Sequence, residues 1–342
     1  MYQLHTLTLR DEHCEAWDNF INSCDEATFF HLSGWQHIIS SAGHQCFYLF
    51  ATYDQKISAV LPLARVKSRL FGDALISTPF CVYGGAVGES AAKRFLEQQA
   101  VKLAESLKVQ HLEFRYRTAQ DNTFITRSQH AYFACDLAPD AEQILAGIKK
   151  KQRAVIRHAL NEDLCFNIDD NTEVFYRTYS ESVRNLGTPV FSKAFFDQIM
   201  QVFPDQTDIL TVQHKGRAVS SVLSFYFKGE VLPYYGGGTN DAKALKSNDY
   251  MYYQLMCRAR AEKQCHRYDF GRSKIDSGAY HYKRHWGMQP VELPYQYQLI
   301  TGKQLPNLSP NNPKYQIMIK LWQKLPLSVS QFIGPMLSRY LG

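Results

Sequence analysis

The sequence predicts a mixed α/β protein (α+β in its strand order) made of two similar halves, and three observations carry that prediction. At 342 residues the chain is long for one domain. Two stretches run through the same order of elements. The first is FATYDQKISAVLPLA, then VYGGAVG, a helix, and LEFR; the second is LTVQHKGRAVSSVLSF, then YYGGGTN, a helix, and YDFGR. Each half places Tyr-Gly-Gly just before its main helix, a weak repeat by identity and a fair one by pattern. The third observation is a cationic helical stretch lying between them. The alternative is two unrelated α/β domains of similar order. The expected boundaries are 1–145 for the first domain, 146–165 for a basic connecting helix, 166–304 for a second domain with the main motifs, and 305–342 for a tail of amphipathic helices.

Residues 13–23 predict a first helix with Trp17, Phe20 and Ile21 on one side, and Ser33 is the expected N-cap of a second helix over 34–42. Strands are expected at 46–53 and 57–66 around Asp54-Gln55-Lys56, with a further extended segment over 75–87. A long helix over 90–107 would use Phe95, Ala100, Leu103 and Leu107 as apolar positions, and strands follow at 109–115 and 131–137. In the second half, strands are expected at 209–214 and 218–227 around Lys215-Gly216-Arg217, then an extended segment at 231–238, a helix at 250–263 and a strand at 267–270.

In the connecting helix, Ile148, Gln152, Val155, Ile156 and Ala159 share one side. Lys149, Lys150, Lys151, Arg153 and Arg157 supply five cations with no acid before Glu162. Such a face repels itself unless an anion neutralises it, so it is a candidate site for phosphate, pyrophosphate, nucleic acid or a lipid headgroup; a solvated linker is the plainer reading. Past a Pro/Asn-rich linker at 305–313, the tail carries Tyr315, Ile319 and Trp322 on one helix. Val329, Phe332, Ile333, Met336, Leu337 and Tyr340 form a stripe on the next. Docking of that stripe onto the body is the expected role. Lys314, Lys320, Lys324 and Arg339 would also suit peripheral contact with an anionic membrane.

Composition narrows the function classes. Hydrophobic residues make up 45% and charged residues 20%, ordinary for a globular protein, and 38 Lys+Arg against 32 Asp+Glu leave a mild net charge of +6. Tyr and Phe are abundant at 21 each, and tyrosine suits pockets that are apolar in body and polar at the tip. No run reaches eighteen apolar residues and no export signal opens the chain, so a cytoplasmic protein is expected, in solution or at the inner face of the membrane. The eight cysteines are scattered with no CxxC pair, so reduced thiols are expected and no metal.

Chemistry concentrates in YDFGRSKIDSGAYHYKRHWGMQPVELPYQY, residues 268–297. A strand closing on Gly271, a polar loop, a short helix and another strand would bring several donors to one end of a sheet, where open α/β sheets keep ligands. Arg272 suits bidentate contact with phosphate or carboxylate, and Ser273 follows it. Asp269 is a candidate base or an ion-pair partner of Arg272. His281 and His285 titrate in the useful range, and Tyr235 and Tyr280 are candidate acids or positioning phenols. Trp286 is expected to anchor the turn in the core.

The basic KKKQRAVIRHAL helix, YYGGG, YDFGRSK and HYKRHWG, in that order, make the chain from about Phe29 to about Leu299 resemble the FemAB-like branch of the GNAT acyltransferase superfamily. The tail PKYQIMIKLWQKLPLSVSQFIGPMLSRYLG further resembles FemAB-family proteins associated with exosortase and exopolysaccharide clusters, relatives of which carry a BioF2-like acetyltransferase domain. The resemblance implies two tandem GNAT-like domains, each a mixed twisted sheet flanked by helices, plus a C-terminal helical tail. It implies transfer of an acyl or aminoacyl group to an amine of a cell-envelope, exopolysaccharide or peptidoglycan precursor. The donor would be acyl-CoA or aminoacyl-tRNA, with tRNA as a partner in the second case. Two departures leave the donor open: no long coiled-coil insertion is present, and no clear Q/RxxGxG/A pyrophosphate loop. A family lysine in a Phe-Lys step at the substrate site matches Tyr282-Lys283 here, which makes Lys283 the first candidate for charge stabilisation. Asp269, His281 and Tyr235 join it as catalytic candidates. Arg272, Ser273, Tyr280, Lys149, Lys150, Arg153 and Arg157 are the candidate substrate-binding residues. The rival reading is a non-catalytic GNAT-fold protein that binds glycan or another anionic ligand, and a third is direct RNA binding by the basic helix.

Overall fold

A computed structural model describes residues 1–7, 13–69, 71–305 and 313–340. In chain order the elements are β1 (Gln3–Leu7), α1 (His13–Ser23), α2 (Gly34–Ser41), β2 (Gln45–Tyr53), β3 (Lys56–Ser68), β4 (Gly72–Ser77), β5 (Val87–Gly88), α3 (Ser90–Leu107), β6 (His111–Phe114) and β7 (Ile125–Asp136). There follow α4 (Ala141–Gly147), α5 (Lys150–Leu160), β8 (Leu164–Asp169), α6 (Glu173–Leu186), α7 (Lys193–Val202), β9 (Thr207–His214), β10 (Arg217–Phe227) and β11 (Glu230–Gly238). The last are α8 (Ala242–Leu245), α9 (Ser247–Ala261), β12 (Arg267–Lys274), α10 (Gly278–His285), β13 (Pro290–Leu299), α11 (Pro313–Trp322) and α12 (Leu327–Ser338). Most of the expected 305–313 linker, and the side chains of Lys314 and Tyr315, lie outside the described residues.

The chain divides into two compact units that do not follow chain order. One comprises 1–129, 292–307 and 339–342; the other comprises 130–291 and 308–338. The first unit's strands run β1-β2-β3-β4-β6-β13, with β5 beside β3, and the second unit's run β8-β9-β10-β11-β12-β7. In both, one pair is parallel, β4 with β6 and β11 with β12, and each parallel pair is joined by the unit's long helix, α3 or α9. The other neighbours along these two paths pair antiparallel. The repeat expected from the sequence is therefore a repeat of topology. Its sixth strand departs from chain order: the strand after β6 completes the second sheet, and the strand after β12 completes the first.

Local sequence explains the hairpins. Asp54-Gln55, Lys215-Gly216 and Lys228-Gly229 each hold two successive residues at positive φ (48° and 62°, 50° and 74°, 48° and 72°). That is the two-residue turn whose twist matches the strands it joins. In the first unit α3 lays Ala92, Leu96, Ala100 and Ala104 on Leu49, Leu61, Leu63 and Phe114. The expected seam of Phe95, Leu103 and Leu107 is only half-buried, because small alanines let the helix approach the sheet on the neighbouring stripe. The same helix buries Glu97, which accepts from Tyr116 Oη at 2.5 Å and from Asn122 Nδ2 at 3.2 Å. Ser33 does not cap α2 through its side chain. Its backbone N–H and its hydroxyl both donate to the Asp18 carboxylate at 2.8 Å, which ties α2 to α1 instead.

In the second unit α9 covers one face of the sheet and α6 with α7 the other, and the missing side chains of β11 mark the two faces. A Cβ on Gly236 would meet Tyr252 of α9, and one on Gly237 would meet Ser182 and Tyr179 of α6. In α12, Ser330, Gly334 and Ser338 are buried, whereas Val329, Phe332 and Met336 are exposed. The apolar stripe expected to dock on the body therefore faces outward in part. Spacing identifies a shared face but not the surface it meets.

Candidate functional site

The site is built where β11 and β12 separate. Among the described residues they pair only at Glu230↔Arg267 and Val231↔Tyr268, and no pairing continues beyond the second position. Next along β12 comes a bulge: register against β7 shifts between Asp269 and Arg272. Gly271 sits in it at φ +71°, and its N–H donates to Asp269 Oδ1 at 2.8 Å. Glycine is favoured there because the left-handed region costs less without a Cβ. The bulge turns two consecutive carbonyls, Gly271 O and Arg272 O, toward α10.

Lys283 of α10 receives both. Its Nζ donates to Gly271 O and Arg272 O at 3.0 Å each, and it lies over the rings of Phe270 (5.3 Å) and Phe133 (5.9 Å). Although part of its stem stays accessible, the ammonium is enclosed, and burial lowers its pKa from 10.5 to about 7. The Asp269 charge opposes that shift and Arg272 adds to it. Carbonyl dipoles and ring faces hold the ammonium without neutralising it. An ammonium has three donors and two are engaged, which leaves one for a ligand.

A second polar group beside it was missed from sequence. Asp249, near the start of α9 and 9% exposed, accepts from Tyr282 Oη at 2.8 Å and from Gln152 Nε2 at 2.6 Å. Burial raises its pKa, and the two hydrogen bonds act in the opposite direction. Asp249 thus ties α5 and α10 to α9. Its only sequence signal is an acid in the first turn of a helix, which reads equally as a cap.

The other candidates divide. Ser273 is 5% exposed and its hydroxyl has no hydrogen-bond partner among the described residues. Arg272 is half-buried. Tyr280 packs edge-on against Phe133 at 5.2 Å, and Ser277 caps α10 by accepting from the Tyr280 N–H at 3.2 Å. Trp286 is 2% exposed and stacks edge-on against Phe270 at 5.7 Å. His281 and His285 are exposed. Tyr235 lies on the other face of the sheet, among Tyr179, Phe195 and Phe196, and is not brought to Lys283. In the basic helix Gln152, Ile156 and Ala159 are buried; Lys150 and Arg157 are exposed. Arg153 donates to Ala146 O at 3.3 Å, and Lys149 reaches the end of α10 to donate to Arg284 O at 3.0 Å. Next to that end a cavity of about 410 Å³ is lined by Ile144, Ile148, Met256, Trp286 and Met288 among others. Burial pushes the thiols of Cys46, Cys135 and Cys265 up to about 11, away from thiolate chemistry.

Residues 146–284, from the end of α4 through Arg284 of α10, match the family model described as an acetyltransferase (GNAT) domain. No curated protein matches the chain. Among solved structures, that of FemX superposes with a TM-score of 0.66 at 13% identity, covering 93% of this chain and 100% of FemX. The C-terminal domain of a putative lysylphosphatidylglycerol synthetase from Agrobacterium fabrum gives 0.55 at 12% identity, covering 84% and 92%. A tandem GNAT protein from the clavulanic acid biosynthesis pathway gives 0.53 at 10% identity, covering 89% and 100%. At these identities the superpositions establish the fold. The chain is thus similar over residues 146–284 to the GNAT acetyltransferase domain model and has a fold like that of FemX.

Proposed function

We propose that the second unit transfers an acyl or aminoacyl group from acyl-CoA or aminoacyl-tRNA to an amine on a cell-envelope precursor, and that Lys283 is the group at the reacting carbonyl. The observation that supports this most is the Lys283 ammonium, enclosed, held by two carbonyls and titrating near neutrality. In such a transfer the acceptor nitrogen bonds to the carbonyl carbon and negative charge develops on the carbonyl oxygen. The bond to the donor's sulfur or ribose oxygen then breaks. The nitrogen sheds one proton and the leaving group takes one. A lysine near pKa 7 serves twice: as ammonium it donates its third hydrogen to the oxyanion, and it can release a proton to the departing group. Asp269 acts here as a positioning residue, since its carboxylate holds the Gly271 bulge that presents the carbonyls. Arg272 supplies positive charge, and Tyr280 packs against Phe133, one of the two rings over which the ammonium lies.

The GNAT match over 146–284 and the FemX-like fold support the reaction class. The envelope precursor is carried by the resemblance to FemAB-like proteins. Product formation is the test, followed by mass spectrometry with a panel of acyl-CoAs and aminoacyl-tRNAs against amine-bearing precursors. Wild type should turn over one donor class, and Lys283→Met should abolish turnover while its far-UV circular-dichroism spectrum and cooperative unfolding are kept. Full activity in Lys283→Met would overturn the assignment of this residue. Tight ligand binding with no turnover of any donor would favour a non-catalytic binding protein.

A further inference from the structure

The two tail helices are docked inside out. Toward the body of the second unit α12 presents Ser330, Gly334 and Ser338, one small residue per turn and all buried. A Cβ on Gly334 would lie 2.8 Å from Val190 O, so the helix rests on backbone. Beside it, Gly187 makes room for Ile319 of α11, Gln323 Nε2 donates to Asn185 O at 3.0 Å, and Arg184 Nη1 donates to Leu325 O at 3.3 Å. Contacts of this kind need no large apolar side chains. Those are turned out: Ile317, Met318 and Leu321 of α11 are 65%, 55% and 63% exposed, and Val329, Phe332 and Met336 of α12 are 37%, 73% and 56% exposed. Leu186, at the end of α6 next to Asn185, is 70% exposed as well. Six of the fifteen exposed large hydrophobics among the described residues thus fall on these two helices, so the exposure is concentrated rather than scattered.

Charge selects the occupant. From Leu293 to Gly342 the chain has no Asp or Glu and five cations, Lys303, Lys314, Lys320, Lys324 and Arg339. Lys320 and Lys324 are exposed on or next to α11. With 10 and 12 residues the helices are too short to span a bilayer. Short helices with outward apolar side chains and basic flanks are suited to lie in the interface of an anionic membrane. We propose that α11 and α12 form such a docking face, which holds the second unit against anionic lipid. This goes beyond the acyl-transfer reading, and its test needs no turnover.

The test is flotation of the full chain with vesicles of phosphatidylglycerol and phosphatidylcholine in equal parts, beside vesicles of phosphatidylcholine alone. The reporter is Trp322, because Trp17, Trp35 and Trp286 are buried. Wild type should float with the anionic vesicles, bind the neutral ones more weakly, and lose Trp322 fluorescence to brominated acyl chains. The variant Ile317→Ser/Leu321→Ser/Phe332→Ser, altered only at exposed positions, should keep its circular dichroism and bind more than about tenfold more weakly. The proposal fails if wild type stays in solution, or if the triple variant floats equally well. It also fails if wild type is a dimer that the variant dissociates while neither binds vesicles, since a second copy would then cover this face.

Discussion

Replacing Lys283 with methionine keeps the stem and deletes the charge, and the consequence for stability has a definite sign. The folded pKa is about 7 against 10.5 for the free side chain. Between those values the unfolded chain holds a proton that the folded chain has released, so stability rises with pH across that window. Below pH 7 both states are protonated, and the folded protein bears the full cost of enclosing the ammonium. A shift of that size corresponds to a cost on the order of 5 kcal/mol. The slope is the sharper quantity: from pH 8 to 9.5 this one proton contributes about 1.4 kcal/mol per pH unit. Urea unfolding of wild type and Lys283→Met at several pH values, followed by circular dichroism, isolates it, because every other group titrates in both proteins. The wild-type slope should exceed that of the variant by about that amount, and the variant should be the more stable at pH 6. Equal slopes would show that Lys283 titrates normally and would remove the physical basis for its proposed role.

Three other perturbations test the surrounding scaffold. Gly271→Ala forces a Cβ into the left-handed region at φ +71° and should cost about 1–2 kcal/mol by denaturant midpoint. Since that Cβ would come no closer than 4.0 Å to Lys283 Nζ, a larger loss would point to disruption of the bulge itself. Asp249→Ala orphans the Tyr282 hydroxyl and the Gln152 amide, at about 1–3 kcal/mol each, measured the same way. Its raised pKa also has a sign: wild-type stability should fall as pH rises from the unfolded carboxyl pKa toward the folded one, a fall that Asp249→Asn should lack. In the first unit Arg115→Met strands Glu113, paired at 2.7 Å with side chains 3% and 11% exposed, and should cost about 3–5 kcal/mol in thermal or chemical unfolding.

What could be read from sequence was whatever one element encodes within itself. Strand alternation, the Asp54-Gln55 and Lys215-Gly216 turns and the long helices all appeared near their expected places. Their signals are local spacing and backbone preference. The approach of β12, α10 and Lys283 was legible only as a dense cluster, because Lys283 acquires its properties from two carbonyls turned by a bulge that no periodicity reports. Asp249 and Gln152 were not paired in advance because they lie 97 positions apart. Tyr235 sits beside the YYGGG glycines in sequence yet faces the opposite side, as alternation along a strand demands. The spacing of the tail predicts an inward apolar stripe, as in most amphipathic helices; small residues beside it let α12 rest on backbone at Val190, and docking uses that face.

The crossed sixth strands bear on how the chain can acquire its fold as it is made. β6 emerges early, but its partner for Phe114 to His111 is Gln296 to Leu299. Until the ribosome has delivered those residues, the first sheet has an open edge of backbone donors and acceptors, a template for pairing with other nascent chains. The second unit's wait is shorter, for β7 meets its partner once β12 (Arg267–Lys274) has emerged. Synthesis therefore completes the second unit's sheet before the first unit's, and no single cut in the chain can separate two intact halves.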